Sequence, residues 1–402
     1  MKQLLIMLAI AAITAPTLAQ STFDLKMCID YALKNNAAAQ NAEIDRQISE
    51  SQTKELRAKY LPRVDAGVDL THNINVQKIV LENGVIPAFT DPTKPVGEVI
   101  AFQLQLNNLL VMSASASQVI YDKSLLAGIH NEDAYKQLSE KNVQRSRIDI
   151  VEGVTKAFYG VLVARQQLDF LNKNVSRVDT LFQETKARYR TGIARKIDVD
   201  RVEVRMNNLR EERDKAIKIV DLNLALLKFQ MSYSGPDIDV QGTLDESILD
   251  GSTAPADFTY DDRIEYSILK TQNVLNQGQL DVIKGGYTPR VTAFATSGYN
   301  PAATSIGDIF QGSRYFNYTY VGVRLQIPLF SGFEKRYKVE GQLLENRKLE
   351  NSMQQAERMI DLQVKQAEIN LINGMESLKT QKRNLALAEA NVRVARAENK
   401  QG

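Results

Sequence analysis

The chain carries one phrase twice. Residues 60–66 read Tyr60-Leu61-Pro62-Arg63-Val64-Asp65-Ala66, and residues 287–293 read Tyr287-Thr288-Pro289-Arg290-Val291-Thr292-Ala293. Five of the seven positions are identical, 227 residues apart. Each copy follows a long polar helical pattern and precedes a short alternating segment. A chain that repeats a switch from helix to strand is predicted to be two halves of one architecture.

Periodicity fills in those halves. Residues 25–59 place Leu25, Ile29, Ala32, Leu33, Ile44, Ile48 and Leu56 at helical spacing among charges, and Pro62 ends the pattern. Residues 64–71 alternate, with Val64, Ala66, Val68 and Leu70 on one side and Asp65, Gly67, Asp69 and Thr71 on the other, which predicts a strand. Residues 72–98, rich in Asn, Gly and Pro, read as a long loop. A second alternating run starts with Phe102, Leu104 and Leu106 and continues through Leu110, Met112, Ala114 and Ala116. From Asp122 to Arg190 there is no proline, and Val151, Val154, Phe158, Val161, Leu168, Leu171, Val175, Val178 and Phe182 form a coiled-coil-like series. Thr191-Gly192-Ile193 breaks it, and a second helix is expected over 197–231. Residues 232–261 are a connector rich in Gly, Pro, Ser and Asp. The plan then restarts: a helix over 262–285, a strand over 291–299, a loop, a Tyr-rich strand over 315–327 closed by Pro328, and a helix from Phe333 onward.

The N-terminus points to export. Lys2 precedes the apolar stretch Leu4–Ile13, and Thr17-Leu18-Ala19 offers small residues where a signal peptidase cuts, so residues 1–19 are predicted to be a signal peptide. No other segment reaches ~18 consecutive apolar residues, the length that marks a membrane-spanning helix. The single cysteine, Cys28, forbids an internal disulfide. It lies too far past the apolar stretch to be a lipid-anchor site and is expected to be half-buried on an amphipathic helix. With 50 basic and 48 acidic residues the net charge is only +2, without the basic excess of a nucleic-acid binder.

Four strands, each about as long as a tilted strand needs to cross a bilayer (~9–11 residues), raise a closure problem. In hydrocarbon a sheet must close into a barrel, and small barrels have about eight strands. Four per chain cannot close alone, so several chains would share one barrel. A soluble antiparallel sheet fits the strand pattern too; the export signal and the long helices favour the barrel.

These residues resemble the TolC-like outer-membrane efflux channels over residues 23–402. The carriers are residues 25–36 (LKMCIDYALKNN), Tyr60-Leu61-Pro62, and residues 115–122 (SASQVIYD) at a strand-to-helix junction. Further carriers are Tyr189-Arg190-Thr191-Gly192-Ile193 with Ile197-Asp198-Val199 at the helix break, and residues 325–332 (LQIPLFSG) in the second half. The resemblance implies a homotrimer in the outer membrane of a Gram-negative bacterium. Its fold would be mixed: long coiled-coil helices forming a periplasmic α-barrel, plus four transmembrane strands per chain in a shared twelve-stranded β-barrel. It implies residues 20–231 as a first repeat, 232–261 as an equatorial connector, and 262–402 as a second repeat. The implied partners are a periplasmic adaptor protein, an inner-membrane pump and outer-membrane lipid.

Catalytic chemistry is not expected. His72 and His130 are the only histidines, with no spacing that makes a zinc site, and no Gly-rich phosphate loop is present. No cofactor, metal or nucleic acid is called for, and transport would be passive, driven by the pump. The resemblance makes Thr191, Gly192 and Ile193 an adaptor-docking tip and Asp198 a possible gate residue. A plain helix corner and a helix N-terminal aspartate favoured by the helix dipole fit the same residues. Pro62, Pro289 and Pro328 mark strand-helix junctions. The helix break at Gly192 lies about as far beyond Tyr121 as Gly402 lies beyond Phe330, so the second repeat is expected to stop before its return helix. The other reading is a soluble periplasmic coiled-coil scaffold.

Overall fold

The computed structural model describes residues 21–103, 105–244, 259–310 and 315–401. The expected signal peptide lies outside them, as do Leu104 and residues 245–258 of the connector. In chain order the main elements are β1 (Ser21–Phe23), α1 (Leu25–Asn35), α2 (Ala37–Ala58), β2 (Arg63–His72), β3 (Lys78–Glu82), β4 (Val99–Gln103), β5 (Asn108–Tyr121), α3 (Lys123–His130), α4 (Glu132–Arg190), α5 (Lys196–Met231), β6 (Ile238–Val240), α6 (Ile264–Gly285), β7 (Arg290–Tyr299), β8 (Ala302–Ala303), β9 (Asn317–Gln326) and α7 (Glu334–Gln401). Among the described residues no helix is long and apolar enough to cross a membrane.

Two expected helices are each interrupted once by an asparagine. At Asn36 the backbone turns extended (ψ 129°). Its side chain accepts from Ala38 N–H at 2.8 Å and donates to the Gln230 carbonyl at 2.9 Å. These bonds offer the backbone an alternative to continuing the helix. Asn131 separates α3 from α4, its N–H shared between the carbonyls of Ala127 and Gly128 at 3.2 Å each.

The chain forms two compact units. One takes in residues up to Ile48, Lys136–Thr271 and the chain from Ser352 on; the other takes Ser49–Tyr135 and Gln272–Asn351. The core of the first joins Cys28 and Ala32 of α1 to Val154, Phe158 and Val161 of α4 and to Leu227 and Met231 of α5. Of the three-four series on α4, Val154, Phe158, Val161, Leu171 and Phe182 are buried. β1 and β6 pair in parallel beside this core, an unforeseen two-stranded ladder. Arg165 fastens it, donating to the Val240 carbonyl at 2.7 Å and pairing with Asp239 at 2.8 Å. Cys28 is fully buried rather than half-buried, because α1 lies against both α4 and α5. Burial, and then the charge of Asp24, push its thiol up to about 11.

The second unit holds an antiparallel sheet in the order β2-β5-β7-β9, with β8 added beside β5. The expected second alternating run is in fact two strands. β4 pairs as a separate hairpin with β3, which lies inside the segment expected to be loop, and β5 starts only at Asn108. Asn83 organises the turn of that hairpin: its amide donates to the carbonyls of Asp91 (2.9 Å) and Lys94 (2.8 Å) and accepts from Asp91 N–H (2.8 Å).

Candidate functional site

The register of the main sheet decides what each face is. Directly opposed residues of an antiparallel ladder share a face. Val64, Ala66, Val68 and Leu70 of β2 face Ala116, Ala114, Met112 and Leu110 of β5. Ala116 and Ala114 continue to Ala295 and Ser297 of β7, and Ala295, Ala293 and Val291 continue to Val321, Val323 and Leu325 of β9. All four strands therefore turn their apolar sets to one side. Among the described residues nothing covers most of it: Val64 is 72% exposed and Val321 77%. Only at the loop end does a small cluster of Leu110, Ala303 and Ile309 bury part of it. The other face carries Asp65, Asp69, Thr71, Ser113, Ser115, Ser117, Thr292, Thr296 and Arg324. Among the described residues, the outer edges of β2 and β9 have no partner strand. A bare apolar face and two open edges would make this sheet an aggregation hazard in water.

The two copies of the repeated phrase adopt one geometry. In the first, Lys59, Tyr60 and Leu61 N–H groups donate three residues back, to Leu56, Arg57 and Ala58. In the second, Gly286, Tyr287 and Thr288 do the same, to Ile283, Lys284 and Gly285. Each helix tightens into a 3₁₀ turn, and a proline follows that cannot donate to continue it. The strand starts at the next residue, Arg63 or Arg290. Each junction tyrosine then touches the start of a following helix: Tyr60 Oη donates to the Asp122 carbonyl (3.3 Å), and Lys335 Nζ lies 5.3 Å from the centre of the Tyr287 ring. Asp122 caps α3 through Ser124 and Leu125 N–H and also meets Arg290 at 3.5 Å. Pro62, Pro289 and Pro328 all lie at this helix-proximal end of the sheet, since Arg290 pairs with Gln326 and Arg63 with Ser117.

Thr191, Gly192, Ile193 and Asp198 come together in one corner between α4 and α5. Ile193 N–H donates to the Arg188 carbonyl (2.8 Å) and Gly192 N–H to that of Tyr189 (3.0 Å), a Schellman closure with Gly192 in the left-handed region at φ +77°. Thr191 Oγ1 donates to the Arg188 carbonyl at 3.0 Å. Asp198 accepts from Arg195 N–H at 3.2 Å and from the Arg195 guanidinium at 3.3 Å, with Arg201 at 4.0 Å. The Arg195 hydrogen bond, aided by the charges of Arg195 and Arg201, holds the Asp198 carboxyl below the usual carboxylate range. The end of α5 closes with the same two bonds around Ser232, but there the next residue, Tyr233, packs on Phe23 and Tyr31 at 5.6 and 5.4 Å between ring centres. At the tip the corresponding residue is Ile193, and it is 77% exposed. The sequence pattern marked the helix break at Thr191-Gly192-Ile193, and the resemblance alone made it a tip. They could not show Arg195 as the partner of Asp198, nor the grouping of Phe294, Tyr320 and Arg324 on the polar face, since both depend on pairing geometry.

Residues 28–216, from α1 through the first strands and the tip into α5, match the family model described as outer membrane efflux protein. The match spans 189 of the 402 residues and makes that stretch similar to the family. That similarity, together with the folds that follow, places the chain in the outer membrane as an efflux channel. Solved structures agree in fold. The chain is similar to CusC, a transmembrane channel, with a TM-score of 0.71 and 14% identity over 93% of this chain and 81% of CusC. It is similar to the Campylobacter jejuni outer membrane channel CmeC, with a TM-score of 0.63 and 13% identity over 83% of this chain and 68% of CmeC. It is also similar to the open state of the Neisseria gonorrhoeae outer membrane channel MtrE, with a TM-score of 0.58 and 15% identity over 83% of this chain and 69% of MtrE. No curated protein matches the chain in sequence.

Proposed function

We propose that this chain is one third of a passive exit duct, closed by two further copies of itself and fed by a periplasmic adaptor and an inner-membrane pump. The register-matched sheet, bare on its apolar face and open at β2 and β9, carries the reading. In lipid the apolar face needs no cover, and the open edges must be paired. With four strands alternating in direction, β9 of one copy runs antiparallel to β2 of the next. Three copies then make a closed, all-antiparallel barrel of twelve strands, inside the known size range. The polar face lines its water-filled lumen. The exposed Ile193 corner supports the tip as the adaptor's docking point, with Asp198 beside it as a gate residue. Detergent extraction of membranes tests the assembly. A heat-resistant trimer released only by detergent is the expected result; a water-soluble monomer would return the chain to the periplasmic scaffold reading.

A further inference from the structure

On the polar face of the sheet one cation stands apart. Arg324 lies beside Phe294, its guanidinium carbon 5.2 Å from the ring centre. The ring has room there because its cross-strand partner is Gly322: a Cβ at that position would come within 2.8 Å of Phe294 Cζ. Tyr320 meets the same ring edge-on at 6.2 Å and is itself stacked on Tyr318. The guanidinium is thus steadied by a π face. The arginines Arg63 and Arg290 of this face are matched: Arg63 meets Asp65 at 2.9 Å, and Arg290 meets Asp122 at 3.5 Å. Among the described residues no carboxylate pairs with Arg324, and it is exposed. Asp69 is the other exposed charge of the face with no opposite partner among them. Across the ladder Arg324 lies level with Val119 of β5 through Thr292, and Asp69 lies level with Val111. At ~3.4 Å per residue these two positions are about 27 Å apart along the strand.

We infer that Arg324 is a selectivity-determining residue of the duct. Three copies would form a collar of fixed positive charge at the helix-proximal end of the lumen, favouring small inorganic and carboxylate anions. Asp69 would form an opposing collar toward the loop end. The inference rests on the trimeric duct reading, which alone turns one exposed arginine into a ring facing a lumen. A fixed charge in a water-filled pore acts over the Debye length, about 30 Å at 0.01 M salt and about 3 Å at 1 M. The selectivity should therefore be strong in dilute salt and vanish in concentrated salt.

The test is the reversal potential of the full-length protein in planar bilayers under a KCl gradient. In dilute KCl, R324Q should lower the chloride-to-potassium permeability ratio about threefold relative to wild type, R324K should stay near wild type, and D69N should raise it. All four proteins should converge in 1 M KCl. Equal ratios for wild type and R324Q in dilute salt, with channels present in both, would overturn the inference and leave the duct standing. If R324Q forms no channels, R324K and D69N decide: a fall in the ratio with R324K, or no rise with D69N, overturns it. A wild-type protein that opens no channels would overturn the duct reading and this inference with it.

Discussion

Arg57, near the end of α2, holds the carboxylate of Glu132, the first residue of α4, at 2.5 Å across 75 residues of chain. The two side chains are not equally committed. Glu132 is 6% exposed and Arg57 63%. Glu132 also sits in the first turn of a 59-residue helix, where a negative charge meets unpaired N–H groups. Removing the arginine strips a buried carboxylate of its ion-pair partner, whereas removing the carboxylate leaves only a solvated arginine and the lost dipole interaction. Arg57→Ala is expected to lower stability by about 2–3 kcal/mol and Glu132→Ala by about 1 kcal/mol. Guanidinium unfolding of the detergent-solubilised protein measures both, and the reverse order would refute the assignment.

Helix α6 crosses α3 with backbone against backbone at Gly285. A Cβ there would lie 2.6 Å from Ser124 N and 2.7 Å from its Cα, while Ser124 Oγ donates to the Val282 carbonyl at 2.6 Å. Gly285→Ala must push the helices apart and break that bond, at a cost of about 2–3 kcal/mol. Gly374, within α7, is the control, because a Cβ there meets nothing within 4 Å. Gly374→Ala should stabilise by about 1 kcal/mol through helix propensity. Equal effects of the two substitutions in unfolding curves would mean that the crossing is not close.

The strands were legible in the sequence because period two and flanking prolines both mark them, and the repeated phrase located them twice. Their pairing was not: register is a property of two segments, and only the ladder shows that four apolar sets share one face. The asparagine breaks at Asn36 and Asn131 were missed because neither glycine nor proline marks them. Asn36 ends its helix by bonding to Gln230, 194 residues away. The β3–β4 hairpin was missed for a similar reason. Val99–Gln103 continues the alternation of β5, and only the paired chain shows that Phe102 faces Ile79 rather than a membrane strand. At the tip, glycine announced the corner, whereas the hold of Arg195 on Asp198 had no pattern to announce it.

The Asp198 cap makes the tip sensitive to acid. The Arg195 hydrogen bond holds its carboxyl below the usual carboxylate range in the folded chain. A depressed carboxylate binds its proton more tightly when unfolded. Its contribution is therefore complete above about pH 4 and is lost as pH falls through the lower, folded value. Asp198→Asn removes that dependence. The stability difference between wild type and the variant should be constant from pH 5 to 7 and shrink below pH 4. Paired melting curves across that range check it, and a gap that widens in acid would show the sign to be wrong.

Gly192 and Ile193 are adjacent but should fail in different ways. Gly192 holds φ +77° with open space where a Cβ would go, so Gly192→Ala adds backbone strain and no clash. That strain is about 1 kcal/mol. Ile193 supplies only its N–H to the corner, and its side chain is in solvent. Ile193→Ser keeps the N–H and should leave stability within about 0.5 kcal/mol of wild type. If the tip docks an adaptor, the same serine removes the apolar surface that the partner covers, and export from cells should fall while trimer and melting temperature persist. Measuring export and melting together separates the two roles. Normal export by Ile193→Ser would leave the corner a plain helix turn.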